Sequence, residues 1–225
     1  MESPVNSETG ASTALAVDHA RSAAFALFSR LVASPFDISA SGKGLLPDDL
    51  DMALDELSTA LPYPTDFGKL KGAAAAMGAN TRDTEREYGA IFEVGRNGPP
   101  LPIRQELLYD ETKSAQKKEE IVRFYEHFSY PLNPERQWAP DHLSVALEFQ
   151  HFLAFRAAKA EAPAPFVLAA RDFSSRHLAD WTSMLAQTVA HRSEDAYLKT
   201  LFQTVAAFVR ADLEHLQQRP ETKEA

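Results

Sequence analysis

The stretch WAPDHLSVALEFQHFLAFRAA, Trp138 to Ala158, constrains this chain most. Pro140 and Asp141 read as a first helical turn, because proline presets φ there and a carboxylate suits the positive end of the helix dipole. Leu143, Val145, Ala146, Leu147, Phe149, Phe152, Leu153 and Phe155 then cover most of the circumference. A helix that is apolar nearly all round belongs inside a bundle, whereas a surface helix shows a single stripe. At about 100° per residue, Asp141, Ser144, Glu148 and His151 share the remaining narrow sector. That polar seam is either a site or a wet edge.

The rest of the chain supplies helices to surround it. A helix is expected from Thr13 to Ala33, with Leu15, Ala20, Ala24, Leu27, Phe28 and Leu31 on one side and Ser34-Pro35 as its end. The next starts at Asp48 or Asp49 and shows Leu50, Ala53, Leu54, Leu57 and Leu61. A third, from Asp66, carries Phe67, Leu70, Ala74 and Met77, and a fourth, TRDTEREYGAIFEV, puts Tyr88, Ile91 and Phe92 together. The loop GRNGPPLPIRQELLYD follows, since three prolines in four residues cannot continue a helix. Further helices are expected over 111–128, 166–188 and 193–217. Phe166, Ala170, Phe173, His177, Trp181 and Met184 or Leu185 share a face in the second of these. No sustained period-2 run marks a strand. The reading is all-α: a single-domain bundle of about eight helices with two proline-rich loops. Residues 1–12 are expected to be disordered, 13–217 to form the helical domain, and 218–225 to fray.

Composition excludes several functions. With no cysteine there are no disulfides, thiolate nucleophiles or iron–sulfur ligands. A formal charge of −9 disfavours nucleic acid, which needs clustered Lys and Arg. The start, MESPVNSETGAST, has no basic or apolar signal-peptide region, and no apolar run is long enough to insert in a membrane. These features favour the cytoplasm, and no catalytic, metal or cofactor pattern stands out among the residues, so the chain is expected not to be an enzyme and to hold no metal or cofactor. Glu148 and His151 form one Glu-x-x-His, but a carboxylate-bridged metal site needs a second. A metal-dependent helical enzyme using Glu148, His151 and His142 stays as the rival reading. A core histidine is the plainer role for His177.

A binding surface fits better. The two proline-rich loops converge near the start of the central helix and bring Leu101, Tyr109, Tyr130 and Trp138 with them. Prolines reduce the entropy lost on binding, and Tyr and Trp serve as anchors. Asp110, Glu111, Glu135 and Asp141 are the acids expected to receive a basic segment beside an apolar run.

Several stretches together resemble one family: Glu87-Tyr88 through Ile91-Phe92, Gly98-Pro99-Pro100 with Tyr109 beyond, Phe124-Tyr125, Trp138 with Pro140-Asp141-His142-Leu143 running into Leu147-Glu148-Phe149, and Phe173 with His177-Leu178 and Trp181. They are similar to the TorD/DmsD/NarJ chaperones that mature molybdenum oxidoreductases. The resemblance spans roughly residues 20–215, and its Pro-Asp-His-Leu run is the most specific piece. It implies an all-α chaperone that binds the twin-arginine signal peptide and apo form of a molybdopterin-dependent catalytic subunit. Such a chaperone assists cofactor insertion and delays export, as a monomer or homodimer. It puts forward Tyr88, Ile91, Phe92, Pro99, Pro100, Pro140, Asp141 and His142 as client contacts, with Tyr109 and Trp138 from the loop reading beside them. Glu148 and Trp181 look like framework. The Pro-Pro-Leu-Pro loop looks most like relatives serving dimethyl sulfide, ethylbenzene or (per)chlorate oxidoreductases. A structural subunit that stays with its oxidoreductase is a further alternative.

Overall fold

The computed structural model describes residues 5–40, 44–78, 81–96, 98–132 and 139–219. Among these the chain is helical and has no strand. The helices are α1 (Val5–Leu31), α2 (Pro35–Ala40), α3 (Leu50–Ala60), α4 (Gly68–Met77) and α5 (Arg82–Tyr88), then α6 (Glu111–His127), α7 (Leu143–Lys159), α8 (Ala164–Phe173), α9 (Ala179–Arg192) and α10 (Ala196–Gln218). Two π-helical segments interrupt the regular turns. One, Gly89–Val94, extends α5, and the other, Ser174–Leu178, joins α8 to α9. Counted as continuous rods, with the six-residue α2 aside, the described residues give the expected eight helices.

The centre is α7, as its sequence requires. Leu143, Ala146, Leu147, Phe149, Leu153 and Ala154 are fully buried. Phe149 touches Tyr125, Tyr130 and Phe173 at ring-centroid distances of 4.7, 5.2 and 4.9 Å. Such edge-to-face clusters add stability beyond the area they bury. The longest packing surface in the fold is that of α1 on α7. The polar seam of α7 faces α1: Ser29 Oγ donates to the Ser144 carbonyl at 2.7 Å, and His151 Nδ1 lies 2.9 Å from Ser22 Oγ. At Ser144 and His151 the seam is therefore an interlock between two helices, and Ser144 borders a cavity as well.

Three expectations change, and one alternative is resolved. The helix opens at Leu143, not at Pro140, because His142 is its cap: the His142 Nδ1 accepts the Ser144 amide at 3.1 Å. Helix α1 starts at Val5 rather than Thr13, and Leu15 on its expected inner face is exposed. Ser34-Pro35 ends one helix but also begins another, since proline at a first helical position loses no hydrogen bond. Leu185, not Met184, faces the core from α9.

A buried ionic cluster ties α1 to α10. The Arg21 side chain is wholly enclosed. Its Nε and Nη2 donate to the two carboxylate oxygens of Asp212 at 2.6 and 3.0 Å, and Nη1 donates to Asp18 at 2.8 Å. Tyr63 Oη donates to Asp212 at 2.7 Å, and Arg219 closes on Asp18 at 2.6 Å. Burial alone would lower the Arg21 pKa, but Asp212 and then Asp18 outweigh it and hold the guanidinium charged. Phe208 of α10 packs on Phe25 and Phe28 of α1 at 4.8 and 5.0 Å.

Candidate ligand cavity

The loop after α5 is held from both ends by the two π-helical segments. The first segment ends at Gly95, whose φ of 85° is left-handed. A Cβ there would lie 2.5 Å from the Gly98 carbonyl oxygen and 2.6 Å from Pro100 N, so glycine is required. The amides of Gly95 and Arg96 both donate to the Ala90 carbonyl, and Leu101 N donates to the Ile91 carbonyl at 2.8 Å. From the start of α10's connection, Arg192 donates to the carbonyls of Pro99 and Arg96 at 2.7 and 2.6 Å. Glu87 pairs with Arg96 and accepts from Ser193 Oγ and the Glu194 amide.

The second segment and the first turn of α9 grip the loop's far half. Gln105 Nε2 donates to the His177 carbonyl at 3.0 Å, and Trp181 Nε1 donates to the Pro102 carbonyl at 2.7 Å. Leu143 N donates to Ile103 O, and Arg104 and His142 form an isolated antiparallel bridge. Single π-helical turns within α-helices are frequent at functional sites. Here they supply loop-holding carbonyls from the helix sides.

Between this loop, the first π-helical segment, α2 and the start of α7 lies a cavity of about 440 Å³. Tyr88, Phe92, Pro100 and His142, all put forward from the sequence, line it together. Tyr88 and Phe92 pack with tilted rings at 4.6 Å between centroids, and Tyr88 Oη donates to the Val32 carbonyl at 3.1 Å. The sequence reading did not assign Ser34, Phe36, Glu93, Ile103, Arg104, Leu107, Ala139, Ser144 and Val145 to the site, and these complete the lining. Phe36 is 58% exposed and Leu107 43%, so the apolar surface continues out of the cavity mouth.

The other sequence-selected residues stand behind or beside the wall. Ile91 is fully buried. Pro99 is exposed on the loop, and Pro140 is buried, its carbonyl accepting from Tyr125 Oη at 2.9 Å. Tyr109 lies beside α6 with Lys113 4.7 Å above its ring. Trp138 and Glu135 lie outside the described residues.

Asp141 is only 1% exposed. Its Oδ2 accepts the Glu106 amide at 2.9 Å, and Lys118 Nζ approaches Oδ1 to 3.9 Å. The acid expected at the surface is thus a buried brace for the 3-10 turn Gln105–Leu108. Asp110 caps α6 by accepting Lys113 N. Glu106 pairs with Arg104 at 2.8 Å and Lys118 at 3.3 Å. Burial, with Tyr130 and Asp141 nearby, raises the Tyr125 phenol well above its ordinary range. Burial, with Lys117 second, pushes His177 down to about 4. His177 is accordingly neutral at pH 7, and its 3.8 Å approach to Glu120 is not an ion pair.

No group of three or more metal-ligating side chains occurs among the described residues. With His142 capping α7 and His151 bound to Ser22, the geometry gives the metal-enzyme reading no support. A broader and more open groove of about 940 Å³ lies between α6 and α8, over Phe124, Phe128 and Leu168. Phe124 of the shared motifs lines it but none of the expected client contacts does, and we place the candidate site in the smaller cavity. No helix among the described residues is long and apolar enough to cross a membrane.

Residues 44–187 match the family described as nitrate reductase delta subunit. Over 110 residues the chain is 36% identical to the chlorate reductase assembly chaperone protein of Ideonella dechloratans, covering 47% of this chain and 56% of that protein. It is 35% identical over 108 residues to the selenate reductase assembly chaperone protein of Thauera selenatis, covering 46% and 56%. It is 28% identical over 143 residues to the perchlorate reductase assembly chaperone protein of Dechloromonas aromatica, covering 60% and 62%. The chain thus spans little more than half the length of these curated relatives. No solved structure gives a significant match.

Proposed function

The chain belongs to the nitrate reductase delta subunit family, the molybdoenzyme maturation chaperones that its motifs resemble, and on that premise we propose that it is itself such a chaperone. It binds the twin-arginine signal peptide and the apo form of a molybdopterin-dependent catalytic subunit, assists cofactor insertion, and delays export until folding is complete. It acts in the cytoplasm and catalyses no reaction of its own. The names of the relatives favour an oxyanion reductase as client.

The observation that carries this reading is the cavity. Four residues selected by the family resemblance, spread from Tyr88 to His142, converge on one apolar pocket whose rim continues over Phe36 and Leu107. A pocket of this kind, formed beforehand and held by main-chain hydrogen bonds, suits the apolar run of a signal peptide, which docks at small ordering cost. Calorimetric titration tests it. The signal sequence of a neighbouring molybdoenzyme binds at micromolar affinity, and Phe92→Ala or Leu107→Asp weakens it at least ten-fold. Absence of binding by the wild-type protein sinks the signal-peptide reading.

The family's description as a delta subunit favours one other arrangement, permanent residence in the oxidoreductase. A chaperone is absent from the purified mature enzyme, whereas a structural subunit is present there at equal stoichiometry.

A further inference from the structure

A cavity that takes an apolar segment carrying arginines needs an anion with charge to spare. Asp141 is enclosed and occupied by the Glu106 amide. Glu106 is neutralised by Arg104 and Lys118, and Glu87 by Arg96. Glu93 differs from all three. It is the one acid among the residues that line the cavity, and its side chain is exposed. Its Oε1 accepts a hydrogen bond from Ser34 Oγ at 3.0 Å, which fixes the carboxylate's direction without cancelling its charge. Among the described residues no cation comes within ion-pair distance of it. Glu93 also stands in the last turn of the α5 rod, which ends at Val94. The negative end of a helix dipole repels a carboxylate there and attracts a cation.

We propose that Glu93, aimed by Ser34, is the receptor for a guanidinium group on the apolar peptide that fills this cavity. This rests on the peptide-binding reading above and assigns the charge determinant within it. A planar guanidinium engages a carboxylate through two parallel N–H bonds in a fixed geometry, whereas an ammonium acts as a point charge. The cavity's other charged residue, Arg104, is already paired with Glu106, so Glu93 is the acid left to meet the peptide's cationic end, while Phe36, Ile103 and Leu107 offer apolar surface to its run.

The test is a calorimetric cycle. Wild type and Glu93→Gln are each titrated with the twin-arginine peptide and with the same peptide carrying alanines at both arginines. A bidentate, charge-assisted contact predicts that wild type prefers the arginine peptide by about ten-fold. Glu93→Gln then binds the two peptides alike, while Ser34→Ala reduces the preference part of the way. An undiminished preference in Glu93→Gln overturns the assignment and leaves peptide binding standing. Equal binding of both peptides by wild type overturns it as well, because the cavity then has no cationic determinant. Failure of wild type to bind either peptide removes the underlying reading and this assignment with it. Measurable binding of the alanine peptide by Glu93→Gln is the internal control for its fold.

Discussion

Replacing Asp212 by alanine is expected to cost about 4 kcal/mol of stability. Asp212 accepts two hydrogen bonds from Arg21 and one from Tyr63, and neither the Asp212 nor the Arg21 side chain has any exposure. All three bonds are made to a charged carboxylate, at about 1.5–3 kcal/mol each, so gross losses reach roughly 4.5–9 kcal/mol. Asp18 keeps its contact with Arg21 and offsets part of this. What remains falls within the roughly 3–5 kcal/mol typical of breaking a buried ion pair. That is a large share of the roughly 5–15 kcal/mol by which domains are stable. Urea denaturation reads it as a lowered midpoint with unchanged slope. The decisive comparison is the double variant Arg21→Met with Asp212→Leu. Asp18 retains Arg219 as a partner there, so the pair is removed without stranding a charge. The double variant is expected to be more stable than either single variant. A cost below about 1 kcal/mol for Asp212→Ala, or a double variant that equals the sum of the singles, refutes the argument.

Three other outcomes follow from the cavity's framework. Asp141→Ala, which leaves the Glu106 amide without its acceptor, is expected to lower stability by about 1–3 kcal/mol, while Asp141→Asn keeps an acceptor oxygen and retains peptide affinity. Equal loss of affinity in both variants would show that the charge itself matters. Gly95→Ala meets both a positive φ and backbone contacts below 3 Å, and is expected to displace the proline loop and abolish peptide binding more than it lowers the melting temperature. His177 has its folded pKa pushed down to about 4, so its contribution is present above the ordinary value and lost as pH falls toward 4. Stability should drop by up to about 1.4 kcal/mol per pH unit across that window. The His177→Asn variant should show a flatter acid limb in denaturation at pH 4 to 7.

Apolar periodicity made the helices and their inner faces legible: in α3 and its C-cap the expected Leu50, Leu54, Leu57 and Leu61 are all buried. What it hid were features set by contacts distant in sequence. Asp141 reads as a first-turn acid because Pro-Asp usually opens a helix. The true cap is a histidine, outside the usual Ser, Thr, Asp and Asn set. The π-helical segments leave no mark on a 3.6-residue pattern. Phe36 sits on a short helix behind a proline that reads as a terminator, and Glu93 is one acid among many until Ser34 is brought beside it. Within the site, the shared motifs located Tyr88, Phe92, Pro100 and His142 on one wall. The rest of the lining comes partly from the same central run, at Ala139, Ser144 and Val145, and partly from Ser34, Phe36, Glu93, Ile103, Arg104 and Leu107, which carry no motif.

The bond between Arg21 and Asp212 also sets a timetable. Its partners are 191 residues apart, so the nascent chain holds a cation destined for the interior long before its counter-ion exists. At roughly 5–20 residues per second, that wait is roughly 10–40 s. Until α10 leaves the ribosome, Arg21 has only Asp18 from this cluster's acids, and the phenyl rings of Phe25 and Phe28 lack Phe208. The N-terminal half can form helices during synthesis, but closure of the bundle is a late event, gated by the last helix made.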